Sequence, residues 1–595
     1  MSRNEPSSDT HLRDFNADPR MLLLSALGAL LGLAGAALAW MLLHLIYAAT
    51  NIFYYQRLSW SFVSPAHNTL HWLAVFVPIT GGLIIGVMAR FGSDKIRGHG
   101  MPEAIEAILM QGARIHPRVA IFKPLSAAVA IGSGGPFGAE GPIIMTAGSV
   151  GSLLGQLFHL TDAERTTLLV AGATAGMTGV FSTPLSAVLL AVELLLFEWR
   201  PRSFIPVAIA ATTAGVLRHY FLSPDPLFPM PLLNHPVQPI TVLGALGLGI
   251  LSGAAALVLS RAVYASEDFF EHYLPVHWMW WPAIGGVVIG LGGLIFPRAL
   301  GTGYDVIASL VSGDQAWSLI LGVLIVKSMI WSFSLGSGTS GGILAPLLMI
   351  GGALGALAAP LLPSLQAGAW PLVGMAAVLS GAIGCPLTSV VLSVELTHNY
   401  ALMLPLLAAA VAAHAFTVLF QKRSILTERL SRRGHHLSRE YSVDPLEAMT
   451  VSEIMQSDTD DLPLESMGLE EVQSLDGERG RQCVPVSDAA REKTGVVIAG
   501  FKSDEASRPT GEADTETPVA ELVAYPGETL RALAERMATG HLSLIRVVEP
   551  GSGRLLGKVT LEDILQARIR SHERENRLER VRSLRLPFTG QRGEP

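Results

Sequence analysis

The chain has 595 residues, half of them apolar and only 15% charged, a balance that excludes an ordinary soluble enzyme and fits a membrane protein. A net charge of -7, without a long block of one sign, gives no reason to expect a nucleic-acid partner. Two cysteines, Cys385 in an apolar segment and Cys483 in a polar one, exclude a disulfide scaffold and fit a reducing cytosol around the C-terminal region.

Residues 1–20 read as a cytosolic N-terminal segment. The first apolar run, from Met21 to Ile46, starts too late and is too long for a cleavable signal peptide. Bilayer-length apolar runs then recur at Leu73 to Met88, Leu243 to Leu259 and Leu402 to Phe420. Sixty glycines and thirty-six prolines, many inside those runs, predict broken helices that begin in mid-membrane, where lipid tolerates irregular backbone only if protein buries it. Arg90, Lys95 and Arg97, then Arg200 and Arg202, then Lys422, Arg423, Arg429, Arg432 and Arg433 mark cytoplasmic connections by the positive-inside rule. Both termini are therefore expected in the cytoplasm, and the membrane is expected to be the cell (inner) membrane.

The apolar region repeats itself. Gly132 to Gly151 lies over Gly336 to Gly355 with eight identities in twenty, at an offset of 204 residues. Gly179 to Leu194 lies over Gly381 to Leu396 with eight identities in sixteen, at an offset of 202. GHG at Gly98 and GTG at Gly301 keep the order at 203. Shared prolines and the pair Glu193/Glu395 argue for duplication rather than chance matching of glycine-rich sequence. The halves are taken as about 21–220 and 240–435. Duplicated halves with matching broken helices place a transport site at their interface.

In each block a glycine-rich turn precedes a proline that opens an apolar run, as expected of the first helical position: Pro142, Pro346 and Pro102. The first amides of such a helix lack intrahelical partners and carry the positive dipole end, which suits an anion. Glu140 is the one ionisable residue in its block, and an acid at membrane depth reads as functional by default. Ionised, it would occupy the anion position; protonated, it would withdraw. The plain alternative is a carboxylate that merely satisfies helix-start amides.

GSGGPFGAEGP, GSGTSGGILAP and GHGMPE together resemble the three signatures of the CLC family of chloride channels and chloride/proton antiporters, over roughly residues 20 to 435. The resemblance implies an all-α polytopic membrane domain of 21–435, an inverted repeat with re-entrant helices, and a homodimer with one anion pathway per subunit. It implies chloride as substrate, lipid as surroundings, no enzymatic activity, no metal and no required cofactor. Carried over by residue, Glu140 is the gate. Gly100, Gly138, Gly141, Ile343 and Leu344 lie near the anion, while His99 stands where the family has an inner serine and Leu426 where it commonly has a tyrosine. Proton-coupled members carry a glutamate directly after the position of Glu193, whereas this chain has Leu194. A passive, voltage- or pH-gated channel is therefore the main expectation. An antiporter using Glu193, Glu198 or His99 as proton access is the alternative.

Beyond the membrane region, TVSEIM at Thr450 resembles the opening of a CBS domain, giving two CBS-like modules at 446–505 and 517–570 and a tail at 571–595. The second reads as βαββα, with Leu530, Leu533 and Met537 on one helical face. Thr560 and Asp563 fall where such modules often contact an adenine nucleotide, with a purely structural role equally open. Two rival classes have sequence support: an intramembrane serine protease, from GTSG around Ser340 with His414 downstream, and a nucleotide-sensing receptor without transport.

Overall fold

In the computed structural model, residues 20–196, 198–222, 225–230, 237–313, 316–432, 446, 449–456, 483–484, 500–501, 523–550 and 554–576 are described. The N-terminal segment 1–19, nearly all of the first CBS-like module and most of the C-terminal tail lie outside them. Two compact units separate, Phe15–Arg439 and a second made of Met1–Asp14 with Glu440–Pro595.

The larger unit is helical, and its elements run in parallel order through the two halves. The first half has α1 (Arg20–Tyr55), α2 (Phe76–Phe91), α3 (Met101–Met110), α4 (Pro117–Gly132), α5 (Glu140–Leu157), α6 (Asp162–Phe181), α7 (Pro184–Leu190) and α8 (Pro201–Phe221). The second has α9 (Pro239–His272), α10 (Trp281–Ile295), α11 (Tyr304–Ser312), α12 (Trp317–Leu321), which continues through a π-turn into α13 (Ser328–Gly336), α14 (Leu344–Ala358), α15 (Ala369–Ile383), α16 (Pro386–Thr397) and α17 (Met403–Phe420). A short α18 (Thr427–Arg432) follows. Among the described residues, eight helical stretches are long and apolar enough to cross a membrane. At about 1.5 Å per residue the 36 residues of α1 span about 54 Å, well beyond a hydrocarbon core of ~30 Å. Helices α3, α7, α11 and α16 are too short to cross.

Small residues let these helices approach closely. A Cβ on Gly151 of α5 would come within 2.2 Å of the Leu168 carbonyl of α6, and one on Gly355 of α14 within 2.1 Å of the Trp370 carbonyl of α15. The same contact thus occurs in both halves, which is how small residues bring membrane helices together without a hydrophobic drive between them. Bulky side chains then fill the interior, with Trp331, Phe137 and Phe181 fully buried.

In the smaller unit, β1 (Val523–Ala524) pairs in parallel with β2 (Leu544–Val548), which pairs antiparallel with β3 (Leu555–Thr560). Helices Leu530–Thr539 and Leu561–Asn576 complete the βαββα order expected from the sequence. Leu530, Leu533 and Met537 are buried together with Ile545, Val547 and Val559. Of residues 446–505, expected as a first module, 446, 449–456 with a short helix Val451–Ile454, and a two-residue pairing of Cys483–Val484 with Gly500–Phe501 are described.

Candidate functional site

Laying the halves over one another places Gly138 on Gly342. In the fold these two residues bond each other: the Gly138 amide donates to the Gly342 carbonyl at 3.1 Å and the Gly342 amide to the Gly138 carbonyl at 2.8 Å. An antiparallel exchange between equivalent residues has a local two-fold axis through it, so α5 and α14 start from opposite sides of one crossing. Directly behind, the Ser126 hydroxyl donates to Ser340 at 3.1 Å. The two blocks therefore meet inside the protein, with every residue from Ile131 to Gly148 buried.

Each block opens a helix, but two residues ahead of its proline, with Pro142 and Pro346 third in α5 and α14 rather than first. The first intrahelical bond of α5 is from the Ile143 amide to Ala139, and that of α14 from Leu347 to Ile343. Upstream of these, the amides of Glu140 and Gly141 on one side, and of Leu344 and Ala345 on the other, fall in the first turns, where a helix offers its unpaired donors. Ile343 precedes α14 and Leu344 opens it; both are buried. Gly138, by contrast, has its amide committed to Gly342, so it fixes the crossing rather than presenting a spare donor.

Glu140 is fully buried, with its carboxylate over the crossing. A Cβ on Gly138 would lie 1.7 Å from its Oε2, and one on Gly342 2.7 Å from the same atom. Oε2 has no hydrogen-bond partner, whereas Oε1 accepts from the Tyr304 hydroxyl at 3.1 Å. The carboxylate also faces the backbone of Ala345 and the side chain of Lys327.

His99, Gly100 and Gly141 join the same assembly. A Cβ on Gly141 would sit 1.9 Å from the His99 carbonyl, and one on Gly100 2.8 Å from the Gly141 carbonyl. His99 is buried and its Nδ1 has no partner, so its ring keeps a polar atom available. Leu426 is buried in the chain leading to α18. The Ile425 amide beside it donates to Ala382 at 3.2 Å, and Tyr264 donates to the Ile425 carbonyl at 2.5 Å. Arg429 ties that segment to α3 through Glu103, with Nη1 to Oε1 at 3.2 Å. Glu103 in turn accepts from the Gly100 amide at 3.0 Å.

The proposed proton-path acids occupy different settings. Glu193 accepts the Leu387 amide at 3.3 Å, the Thr388 amide at 2.9 Å and the Thr388 hydroxyl at 2.5 Å. Its equivalent, Glu395, accepts the Leu185 and Ser186 amides at 3.0 and 2.8 Å. Each glutamate thus caps the first turn of the other half's proline-led helix, α16 or α7. Glu198 is partly exposed, accepts from Ser203, and lies 3.4 Å from Arg200 and 3.6 Å from Arg202. Ser340, the residue behind the protease reading, has the Ser126 hydroxyl as its partner. In the smaller unit, Thr560 donates its amide and hydroxyl to Asp563 Oδ2 at 2.8 and 2.6 Å, and Asp563 donates its amide back to Thr560 at 3.2 Å. Gln456 holds the other Asp563 oxygen at 2.8 Å.

Sequence reasoning missed two fully buried lysines. Lys123 donates to the carbonyls of Ile96 and Gly98 at 2.9 and 2.8 Å, and Lys327 to those of Ala299 and Gly301 at 2.8 and 2.9 Å. They clamp the two Gly-x-Gly loops identically, and their separation of 204 residues, the offset of the main block, was the available signal. Tyr304 and Glu103 were missed as well.

A family model described as voltage gated chloride channel matches residues 81–418. The putative chloride channel protein ClcB-like of Ralstonia nicotianae is 29% identical over 381 residues, covering 62% of this chain and 88% of that protein. The H(+)/Cl(-) exchange transporter ClcA of Cronobacter sakazakii is 30% identical over 415 residues, covering 66% and 85%. Among solved structures, a slow cyanobacterial Cl-/H+ antiporter superposes with a TM-score of 0.62 at 22% identity, over 70% of this chain and 99% of that one. A CLC-type fluoride/proton antiporter gives 0.60 at 20% identity, over 69% and 98%. At such identities these structures speak for the fold.

Proposed function

The chain belongs to the voltage-gated chloride channel (CLC) family of membrane anion transporters, and from that premise we propose that it exchanges chloride for protons, with Glu140 as the group both ions act through. The observation that carries this reading is the Gly138–Gly342 crossing, where two oppositely directed helix starts meet beneath the Glu140 carboxylate. First-turn amides of Glu140, Gly141, Leu344 and Ala345 offer partial positive charge without a full cation on the anion, which allows binding and release. The carboxylate competes for that place when ionised, and taking up a proton lets it withdraw, so one residue couples the two ions.

Leu194 favoured a passive channel, but relatives named exchange transporters or antiporters support the coupled alternative instead. The second proton station is assigned to Glu198, which is partly open to solvent, rather than to Glu193, whose oxygens are occupied capping α16. His99, with an unpartnered ring nitrogen and its carbonyl against Gly141, is the side-chain donor offered to the anion on the Gly98 side. The proposal includes a homodimer with one pathway per subunit and cytoplasmic termini. It includes a CBS-like C-terminal unit, in which an adenine nucleotide would have to displace Gln456 from Asp563.

The test is simultaneous recording of chloride efflux and proton uptake in liposomes for wild type, Glu140→Gln, Glu198→Gln and His99→Ser. Wild type should drive protons uphill on a chloride gradient. Glu140→Gln should abolish that while passing chloride, Glu198→Gln should slow proton movement more than chloride, and His99→Ser should leave coupling in place. Chloride flux without proton movement in wild type would return the protein to the passive class.

A further inference from the structure

The two Gly-x-Gly loops are built alike yet end in different chemistry. Gly98 and Gly100 have φ of +82° and +90°, Gly301 and Gly303 +69° and +72°, and a buried lysine clamps each loop. Such dihedrals favour glycine over a residue with a Cβ. The next residue opens a short helix: Met101 on α3, Tyr304 on α11. Met101 is fully buried and has only a thioether, which donates no hydrogen bond. Tyr304, at the equivalent place, puts a hydroxyl on Oε1 of Glu140.

Its ring is fixed where this donor is needed. Phe181 and Phe228 pack against it with ring centroids 6.3 and 6.2 Å away, and the Phe228 amide is bonded to the Leu396 carbonyl at 3.0 Å. A phenol held at its ring can still flip its O–H between two in-plane orientations, and the bond serves an acceptor in reach of either. A carboxylate and a halide are both acceptors, and both contend for the crossing. Meanwhile Leu426 contributes no polar atom, and the phenol close to it, Tyr264, is bonded to Ile425.

We propose that Tyr304 is an anion ligand of this pathway: its hydroxyl holds Glu140 while the carboxylate fills the crossing and turns to the halide when the carboxylate leaves. The side-chain donor that Leu426 lacks is thereby supplied from α11, in the second half of the repeat. The proposal rests on the reading that the anion passes Glu140.

Chloride titration calorimetry on the full-length purified protein tests it, comparing Glu140→Ala with Glu140→Ala/Tyr304→Phe. Losing a hydrogen bond to a charged acceptor should weaken chloride binding by about tenfold or more, with melting in chloride-free buffer unchanged. Should the phenylalanine variant fold poorly, Tyr304→Met in the same background copies the residue of the other half and should show the same loss. Equal affinity with and without the hydroxyl overturns the role of Tyr304 while leaving the pathway intact. No chloride binding in Glu140→Ala itself overturns the pathway reading, and this inference with it.

Discussion

Replacing Gly138 by alanine should close the crossing to both of its contenders. Gly138 is not among the positive-φ glycines, so its backbone accepts alanine without strain. The added Cβ, however, would lie 1.7 Å from Oε2, 2.4 Å from Cδ and 2.6 Å from Oε1 of Glu140. A carbon–oxygen contact settles at about 3.3 Å, so the carboxylate must retreat by roughly 1.6 Å. That distance breaks its bond to Tyr304, which at a charged acceptor contributes about 1.5–3 kcal/mol, a tenfold or greater shift away from the seated position. An anion seated where the carboxylate was meets the same methyl. Measured in a Glu140→Ala background, where no carboxylate competes with the ion, calorimetry should therefore show chloride affinity reduced at least about tenfold by Gly138→Ala, with chloride-free melting near that of Glu140→Ala. Equal affinity with and without Gly138→Ala in that folded background would refute the placement of the anion at this crossing.

The reciprocal caps predict a matched pair: Glu193→Gln and Glu395→Gln should each lower stability by about 1–3 kcal/mol, read by thermal melting in detergent. A Glu193→Gln protein that melts normally but loses proton coupling would return Glu193 to the proton path. Lys123→Met and Lys327→Met should each orphan two buried carbonyls and destabilise by roughly 2–6 kcal/mol, with the damage confined to loop Gly98–Gly100 or Gly301–Gly303 in hydrogen exchange. Thr560→Ala should remove the cap of Leu561–Asn576 at a cost of about 1 kcal/mol, seen as faster amide exchange in its first turn. Burial pushes the Asp563 carboxyl up, but hydrogen bonds from the Thr560 hydroxyl and amide and from Gln456 outweigh it and hold the pKa below the usual aspartate value. The cap should therefore stand above about pH 4 and weaken as pH falls through the folded value.

Much of this was legible because the repeat is written in glycine and proline, whose backbone demands survive divergence. Gly138 and Gly342 align in the sequence and bond in the fold, and Pro142 and Pro346 lie in the first turns of helices that start two residues earlier than the prolines indicated. The shared Glu193/Glu395 hinted at a structural pair; what it could not show was that each serves the other half's helix, a long-range fact with no local signature. Lys123 and Lys327 sit in apolar runs outside the matched blocks, where their common offset went unused. Tyr304 carried no signal, since its equivalent is Met101 and its role depends on which way the Gly301–Gly303 loop turns it. The expectation of a passive channel rested on one position, Leu194, and a single substitution is a weak guide when other acids are within the same fold.

Crystals of Glu140→Gln grown in bromide would address the central claim most directly, through the anomalous signal of the ion. The account predicts a peak at the crossing of α5 and α14, within hydrogen-bond reach of the amides of Gly141, Leu344 and Ala345. Bromide bound elsewhere, with that position empty at saturating concentration, would contradict it.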